Sequence, residues 1–277
     1  MLEKLKLFVI LTRAHQYQHI IFFGLIPLFL IGADLNYFIW YYLLFFLLTA
    51  FGFMINDYFD EKMDKEAGKN TGLTKGFVSK STLRALMVIF LFGSVVLAYY
   101  LNPSTILLYL IIVFFVWSYS APPFRFKTRN WLEMPVVILG FGPLNYLYTA
   151  ASLGYSNTIV NLLYFLFAVS LIGQSQLNNC LKDFKSDKFS GSKNLAQTTG
   201  FEKALWIRRM FRISLPLLLA GLYLYLPVHN LFMVLVFWIF AADTFYDASK
   251  KFENQRDSSF TLTATAAILL FTIFQYF

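Results

Sequence analysis

The sequence predicts an all-α integral membrane protein with nine transmembrane helices arranged around a central cavity and with its N-terminus in the cytoplasm. Three observations lead to this fold class. The 277-residue chain is 58% hydrophobic, has a mean hydropathy of +0.60 and is only 14% charged, whereas a soluble domain is about 25% charged. The apolar residues form nine long runs. The lysines and arginines sort onto one side of these runs.

The nine runs are close to the ~20 mainly apolar residues that a helix needs to cross a bilayer. The first run has no small-residue cleavage pattern and is followed by further runs, so it is interpreted as a helix and not as a secretion signal. No soluble domain interrupts the series, which predicts one membrane-embedded domain, residues 1–277. The predicted helices are Tyr17–Ile31, Tyr37–Ile55, Leu83–Leu101, Ser104–Ser120, Met134–Ala151, Ile159–Leu181, Met210–Leu226, Leu231–Ala248 and Phe260–Tyr276.

The net charge of +8 would suggest nucleic-acid binding in a soluble protein, but its distribution favours another interpretation. In the nine-helix arrangement, the short connectors on one side contain no Lys or Arg, and the basic residues lie in the N-terminal segment and the connectors of the other side. Basic residues concentrate in cytoplasmic loops. The N-terminus and the long loops are therefore predicted to be cytoplasmic, with the lipid bilayer as a partner and no nucleic acid.

Two acidic segments, at the ends of the second and sixth predicted helices, share the spacing Asn-x3-Asp-x3-Asp. Residues four apart lie near one face of a helix, so each set is predicted to point in one direction. Two pseudo-repeated halves, about residues 1–120 and 121–277, would present both sets to one cavity. The first set is Asn56, Asp60 and Asp64, with Asp57 beside it, and the second is Asn179, Asp183 and Asp187, with Asn178 beside it.

Clustered carboxylates at a membrane boundary destabilise the protein, because like charges repel and lose hydration. Either these residues are solvated helix ends that pair with nearby lysines, or a bound cation offsets their charge. The matched depth and spacing of two segments favour the cation. Oxygen ligands alone suit Mg²⁺, which substrate phosphates usually complete, and the lack of a His or Cys cluster in the sequence argues against zinc.

These residues resemble a known family. Asn-Asp-x-x-Asp-x-x-x-Asp at residues 56–64, with Asp-x-x-x-Asp at residues 183–187, is similar to the paired motifs of the UbiA superfamily of membrane prenyltransferases. The segment Tyr-Ser-Ala-Pro-Pro-Phe-Arg-Phe-Lys at residues 119–127 resembles the Tyr-Ser-x-Pro-Pro-x-Arg-x-Lys stretch that follows the family's fourth helix. The helix count also agrees, so the resemblance covers almost the whole chain.

The resemblance implies a reaction. Two Mg²⁺ ions would bridge the Asp-rich motifs to an isoprenyl diphosphate and, with basic side chains, stabilise the departing diphosphate. A lipophilic acceptor of the quinone- or pigment-precursor type would then attack the cation-like carbon. The implied metal ligands are Asn56, Asp60, Asp64, Asp183 and Asp187. The implied catalytic residues are the four aspartates of this set together with Asp57. The implied substrate-binding residues are Asn56, Arg125, Lys127, Asn179, Tyr119, Arg13, Asn178 and Lys182.

Alternatives remain open at this point. Arg125 and Lys127 also fit an ordinary positively charged cytoplasmic loop. A membrane terpene cyclase of the same superfamily would use the same metal site, with a double bond of the substrate replacing the acceptor. A transporter or lipid-binding protein is the non-enzymatic alternative. It is disfavoured because ionisable groups in transporters often lie near the bilayer midplane, whereas the acidic residues here lie at helix ends.

Overall fold

A computed structural model describes residues 11–13, 18–66, 68, 71–184 and 194–225. The regular structure within these residues is helical, and short 3₁₀ turns link some of the helices. The α-helices are α1 (Gln18–Leu30), α2 (Leu35–Glu66), α3 (Lys80–Leu101), α4 (Ile106–Ser120), α5 (Glu133–Phe141), α6 (Pro143–Ser152), α7 (Thr158–Lys182), α8 (Leu195–Thr199) and α9 (Phe201–Tyr225).

Membrane-type helices dominate the described part of the chain, as the sequence predicts. Five stretches are long and apolar enough to cross a bilayer, and α1 is a shorter apolar helix. The predicted eighth and ninth helices, Leu231–Ala248 and Phe260–Tyr276, lie outside the described residues. The five stretches are Leu35–Glu66, Lys80–Leu101, Pro103–Ser120, Glu133–Ser152 and Thr158–Lys182.

Helix α2 continues well past Ile55, where the sequence analysis ended it. The prediction followed hydropathy, which falls at Asn56, but the charged residues that follow still form helix. A salt bridge from Lys65 to Glu61, four residues apart at 2.8 Å, supports the last turns. The first acidic segment is therefore part of the same continuous helix as the apolar residues before it.

The predicted fifth helix, Met134–Ala151, is confirmed as one apolar stretch, Glu133–Ser152, but this stretch is broken into α5 and α6. Pro143 has no N–H to continue the hydrogen-bond ladder. A Cβ atom on Gly142 would lie 2.8 Å from the carbonyl oxygen of Ile138 and 2.9 Å from Cγ1 of Ile172. Glycine therefore allows the chain to bend here while α7 stays in close contact.

Helix α9 begins at Phe201 and not at Met210, because the prediction assigned the basic residues before Met210 to a loop. Arg208 and Arg212 are 2% and 7% exposed, so their side chains are packed into the helix bundle. Buried arginines are rare in apolar helices, and hydropathy alone places such residues outside a span.

The packing of the helices brings one set of helix ends together. Helix α9 packs along α7, α2 along α3, α1 against α6, and α4 against α5. Side-chain contacts join the C-terminal ends of α2, α4 and α7 to one another. At the opposite end of the bundle, the side chains of Tyr41 and Asn102 bond to Ser152 at 2.5 and 2.8 Å. The acidic residues thus lie at one end of the bundle, and separate hydrogen bonds link the helices at the other end.

Candidate active site

The C-terminal turns of α2 carry four polar side chains in the order of the first acidic segment. Asp57 and Asp64 are buried, with 3% and 5% exposure, while Asn56 and Asp60 are half-buried. Carboxylates with so little access to water require compensating charge or hydrogen bonds. Basic side chains from other parts of the chain provide part of this compensation.

Two basic residues from the loop after α4 meet at Asp60. Arg125 Nη2 donates to Asp60 Oδ1 at 2.9 Å, and Lys127 Nζ donates to Asp60 Oδ2. Lys127 also donates to Asn56 Oδ1 at 2.8 Å, which accepts a second bond from Ser120 Oγ at 2.9 Å. The loop and the acidic helix end therefore form one hydrogen-bonded cluster, in which two cations share the carboxylate of Asp60.

The shape of this loop determines where its cations point. Arg125 adopts a left-handed backbone with φ of +42°, which costs about 1–3 kcal/mol for a residue with a Cβ atom. Its N–H donates to the Ala121 carbonyl at 2.8 Å. The Phe124 ring packs edge-on against Trp117, with ring centroids 5.8 Å apart. This anchored turn directs Arg125 and Lys127 to the same side of the loop.

The charge of Lys127 interacts with two acidic residues of the first segment, Asp60 and Asp64. Burial lowers the pKa of its ammonium below the usual value, and the negative charges of Asp60 and Asp64 oppose that shift by raising the pKa. The position of Lys127 near two carboxylates therefore offsets part of the cost of burying its charge.

Asp57 faces another cation, on the segment before α1. Arg13 Nη2 forms a salt bridge with Asp57 Oδ1, and the guanidinium lies 5.4 Å from the ring centre of Phe53. Asp57 and Asp60 are therefore held by different parts of the chain, Arg13 and the loop after α4. The structure thus brings Arg13, Arg125 and Lys127 to the first acidic segment, at residues that the sequence analysis named.

The second acidic segment lies at the C-terminal end of α7. Asn179, Lys182 and Asp183 are exposed there, and the Asp183 N–H caps the helix through the Asn179 carbonyl at 3.0 Å. Asn178 Oδ1 lies 3.5 Å from Arg208 Nη1 on α9. Asp187 lies outside the described residues.

Tyr119, at the end of α4, contacts two residues that the sequence analysis did not name. Its hydroxyl lies 3.4 Å from Glu133 Oε1 and 3.3 Å from Gln176 Nε2. Arg208, which contacts Asn178, is a third residue that the sequence analysis did not name. One signal was present in the sequence: Glu133 is an acidic residue directly before a long apolar run, where a buried carboxylate needs a partner.

The donor atoms of the cluster suit a hard divalent cation. Asn56, Asp60 and Asp64 offer only oxygen atoms, which Mg²⁺ prefers. Across the ranges that the structure describes, no three His, Cys, Asp or Glu side chains are grouped as a ready-made metal site. Asp57 and Asp60 instead face basic side chains. The residue types fit Mg²⁺, and Asp60 would have to exchange its basic partners for the ion in order to hold it.

An apolar helical bundle with carboxylates paired to cations at one end defines a class: a helical membrane protein with a charged cluster at one end of its bundle. Comparison with known proteins then gives the family. The model of the UbiA prenyltransferase family matches residues 20–273, so the chain belongs to that family. No curated protein sequence matches the chain.

Solved structures share this fold at low sequence identity. A UbiA homologue from Archaeoglobus fulgidus bound to DMAPP and Mg²⁺ superposes with a TM-score of 0.75 at 20% identity, covering 97% of both chains. A UbiA homologue from Aeropyrum pernix K1 gives 0.73 at 16% identity, covering 93% of this chain and 98% of that one. Digeranylgeranylglyceryl phosphate synthase gives 0.64 at 17% identity, covering 99% and 96%.

Proposed function

We propose that this chain is an intramembrane, Mg²⁺-dependent prenyltransferase that moves an isoprenyl group from an isoprenyl diphosphate to a lipophilic, aromatic acceptor. Membership of the UbiA prenyltransferase family supports prenyl transfer in general. Structures of the A. fulgidus homologue with DMAPP or GPP and Mg²⁺ support this class of donor. The observation that carries the proposal is the convergence of Arg125 and Lys127 on Asp60, because it joins metal-ligand and anion-binding groups at one point.

The acidic residues are proposed to hold two metal ions. Asp57, held by Arg13, is proposed to support the neighbouring ligands on α2. When bound, Mg²⁺ supplies positive charge to the departing diphosphate. The proposed ligands are Asn56, Asp60, Asp64, Asp183 and Asp187.

The basic residues are proposed to bind the diphosphate. With Asp60 as a metal ligand, Arg125 and Lys127 would be available for charge-assisted hydrogen bonds with phosphate oxygens. Arg125 Nε is buried without a hydrogen-bond partner among the described residues, so it offers a further donor. Further substrate contacts are proposed for Arg13, Tyr119, Asn178, Asn179 and Lys182.

The proposed topology follows from the charge asymmetry of the sequence. We propose nine transmembrane helices around a central cavity, in two related halves of about residues 1–120 and 121–277. The N-terminus and the opening of the active site would face the cytoplasm. The isoprenyl chain and the acceptor would reach the site from within the bilayer.

The experiment uses purified full-length protein, geranyl diphosphate, Mg²⁺ and a panel of lipophilic phenols and hydroquinones. We expect Mg²⁺-dependent release of diphosphate and a prenylated product, detected by mass spectrometry. Asp60→Ala and Asp183→Ala should lower the rate by at least about 10²-fold. Asp34→Asn, at an exposed residue of the opposite end of the bundle, is the matched control and should keep the wild-type rate.

Two results would overturn this function. Wild-type turnover by both aspartate variants would remove the metal-site assignment. Conversion of geranyl diphosphate to a cyclic hydrocarbon or alcohol without an acceptor would identify a terpene cyclase.

A further inference from the structure

Glu133 is a buried carboxylate outside the Asp-rich segments. It lies in the first turn of α5 and is 5% exposed. Its Oε1 accepts a hydrogen bond from Gln176 Nε2 at 2.5 Å and one from the Tyr119 hydroxyl at 3.4 Å, and Cys180 Sγ lies 3.8 Å away. These three neighbours belong to α4 and α7, so Glu133 links three helices.

The neighbours of Glu133 connect it to both acidic segments. On one side, Tyr119 is followed by Ser120, which bonds to Asn56 of the first segment at 2.9 Å. On the other side, Gln176 precedes Asp183 by seven residues, which is two helical turns, or about 10 Å, along the same face of α7. A substrate whose diphosphate was held by both segments would therefore lie at the end of the bundle that also carries Glu133.

The surroundings of Glu133 suit a flat, hydroxylated molecule. Met134, Ile138 and Phe141 belong to the same apolar cluster as Cys180 and Tyr119. Tyr119 and Gln176, which hydrogen-bond to Glu133, are half-buried. Aromatic rings pack well on apolar and aromatic side chains, and a carboxylate accepts a hydrogen bond from a phenolic hydroxyl. The same contacts would hold that hydroxyl in a fixed orientation.

We propose that Glu133 accepts the hydroxyl proton of an aromatic acceptor, which Tyr119 and Gln176 position; this rests on the proposed prenyl transfer. The C1–O bond of the isoprenyl diphosphate breaks, and its electron pair leaves with the diphosphate. A ring carbon of the acceptor bonds to C1 as the hydroxyl proton passes to Glu133. The substituted ring carbon then loses its proton to water, and Glu133 returns its proton to the ring oxygen. The balance is one isoprenyl group transferred and one proton released.

The test compares Glu133→Gln with the wild type on phenols of graded acidity, using geranyl diphosphate and Mg²⁺. Glutamine preserves the size of the side chain but takes up no proton. We expect at least about a 10²-fold loss of kcat, in line with general-base catalysis, with an unchanged KM for geranyl diphosphate. The loss should shrink as the phenol becomes more acidic, because an ionised phenol needs no base. Glu202→Gln, an exposed residue of α9, is the matched control and should keep the wild-type kcat.

A merely structural role would give a different pattern. It predicts the same relative loss on every phenol, together with a lower Tm, and that result overturns the inference. Glu133→Asp keeps a carboxylate and should recover part of the kcat, so it serves if the glutamine variant does not fold. Wild-type kcat in Glu133→Gln, or prenylation only of acceptors without an aromatic hydroxyl, also overturns it. Failure of the wild type to cleave geranyl diphosphate would instead refute the proposed function itself.

Discussion

Lys127 shows at the residue scale how one side chain connects two parts of the candidate site. Its ammonium contacts both Asn56 and Asp60, and its charge is partly buried. Lys127→Met should lower kcat/KM for geranyl diphosphate by about 10²–10³-fold, because one preorganised donor to the leaving group is lost. The measurement is steady-state release of diphosphate.

A matched control separates this effect from a general loss of positive charge. Lys75 is an exposed lysine in the loop between α2 and α3, close to the same end of the bundle, and its described contact is with the Phe77 ring. Lys75→Met should retain wild-type kcat/KM. An equal loss in both variants would point to long-range attraction of the anionic substrate and not to a contact at the site.

The salt bridge of Arg13 with Asp57 leads to a prediction about stability. Asp57 is almost fully buried, so removal of Arg13 leaves a carboxylate in a low-dielectric environment, which is strongly destabilising. Arg13→Ala should lower the Tm of the purified protein. Asp57→Asn should recover much of that loss in the double variant, with a coupling energy of about 0.5–3 kcal/mol. Strictly additive effects in this double-mutant cycle would show that the two side chains do not interact.

The residue types of the candidate site could be predicted from the sequence, but most of their pairings could not. Two acidic segments of equal spacing predict a shared cation, since like charges need compensation. The pairing of Lys127 with Asn56 depends on the left-handed turn at Arg125, which a non-glycine residue adopts only when its surroundings impose it. The contacts of Glu133 were not predicted, because its partners Tyr119 and Gln176 lie on other helices, α4 and α7.

At the scale of the element, hydropathy predicted where helices exist better than where they begin and end. Helices α3 and α7 lie within a few residues of their predicted bounds, because polar caps flank each apolar run: Ser79 and Asn157 accept hydrogen bonds from the first turns. Helices α2 and α9 extend into charged sequence, where helix propensity continues after hydropathy ends. Both extensions carry polar residues that belong to the candidate site or lie beside it.

The break between α5 and α6 can be tested through Gly142. A Cβ atom there would be 2.8 Å from a backbone carbonyl oxygen, which cannot rotate away. Gly142→Ala should therefore destabilise the protein by about 1–3 kcal/mol, as overpacking does, and lower its Tm. Gly93→Ala in α3 is the matched control, because its nearest contact would be 3.6 Å from Leu47. That variant should be neutral or more stable, since alanine favours helix over glycine.

At the scale of the whole molecule, the fold collects residues that are far apart in sequence at one end of an apolar scaffold. Arg13, the end of α2, the loop after α4 and the end of α7 all contribute to that end. The alternation of basic and non-basic connectors predicted this arrangement from the sequence. The contacts between these segments required the structure, because helix rotation depends on packing and not on hydropathy.

The orientation of the bundle in the membrane gives the last prediction. Lys75 lies at the end that carries the acidic segments, and Ser156 is exposed at the opposite end. Cys180 is buried, so the parent chain is expected to stay unlabelled by a membrane-impermeant maleimide. In intact cells, Ser156→Cys should be labelled and Lys75→Cys protected; in inside-out vesicles the two should exchange. Labelling of Lys75→Cys from outside the cell would place the candidate site on the external face and contradict the charge argument. The expected result would instead place it on the cytoplasmic face, where water-soluble isoprenyl diphosphates can reach it.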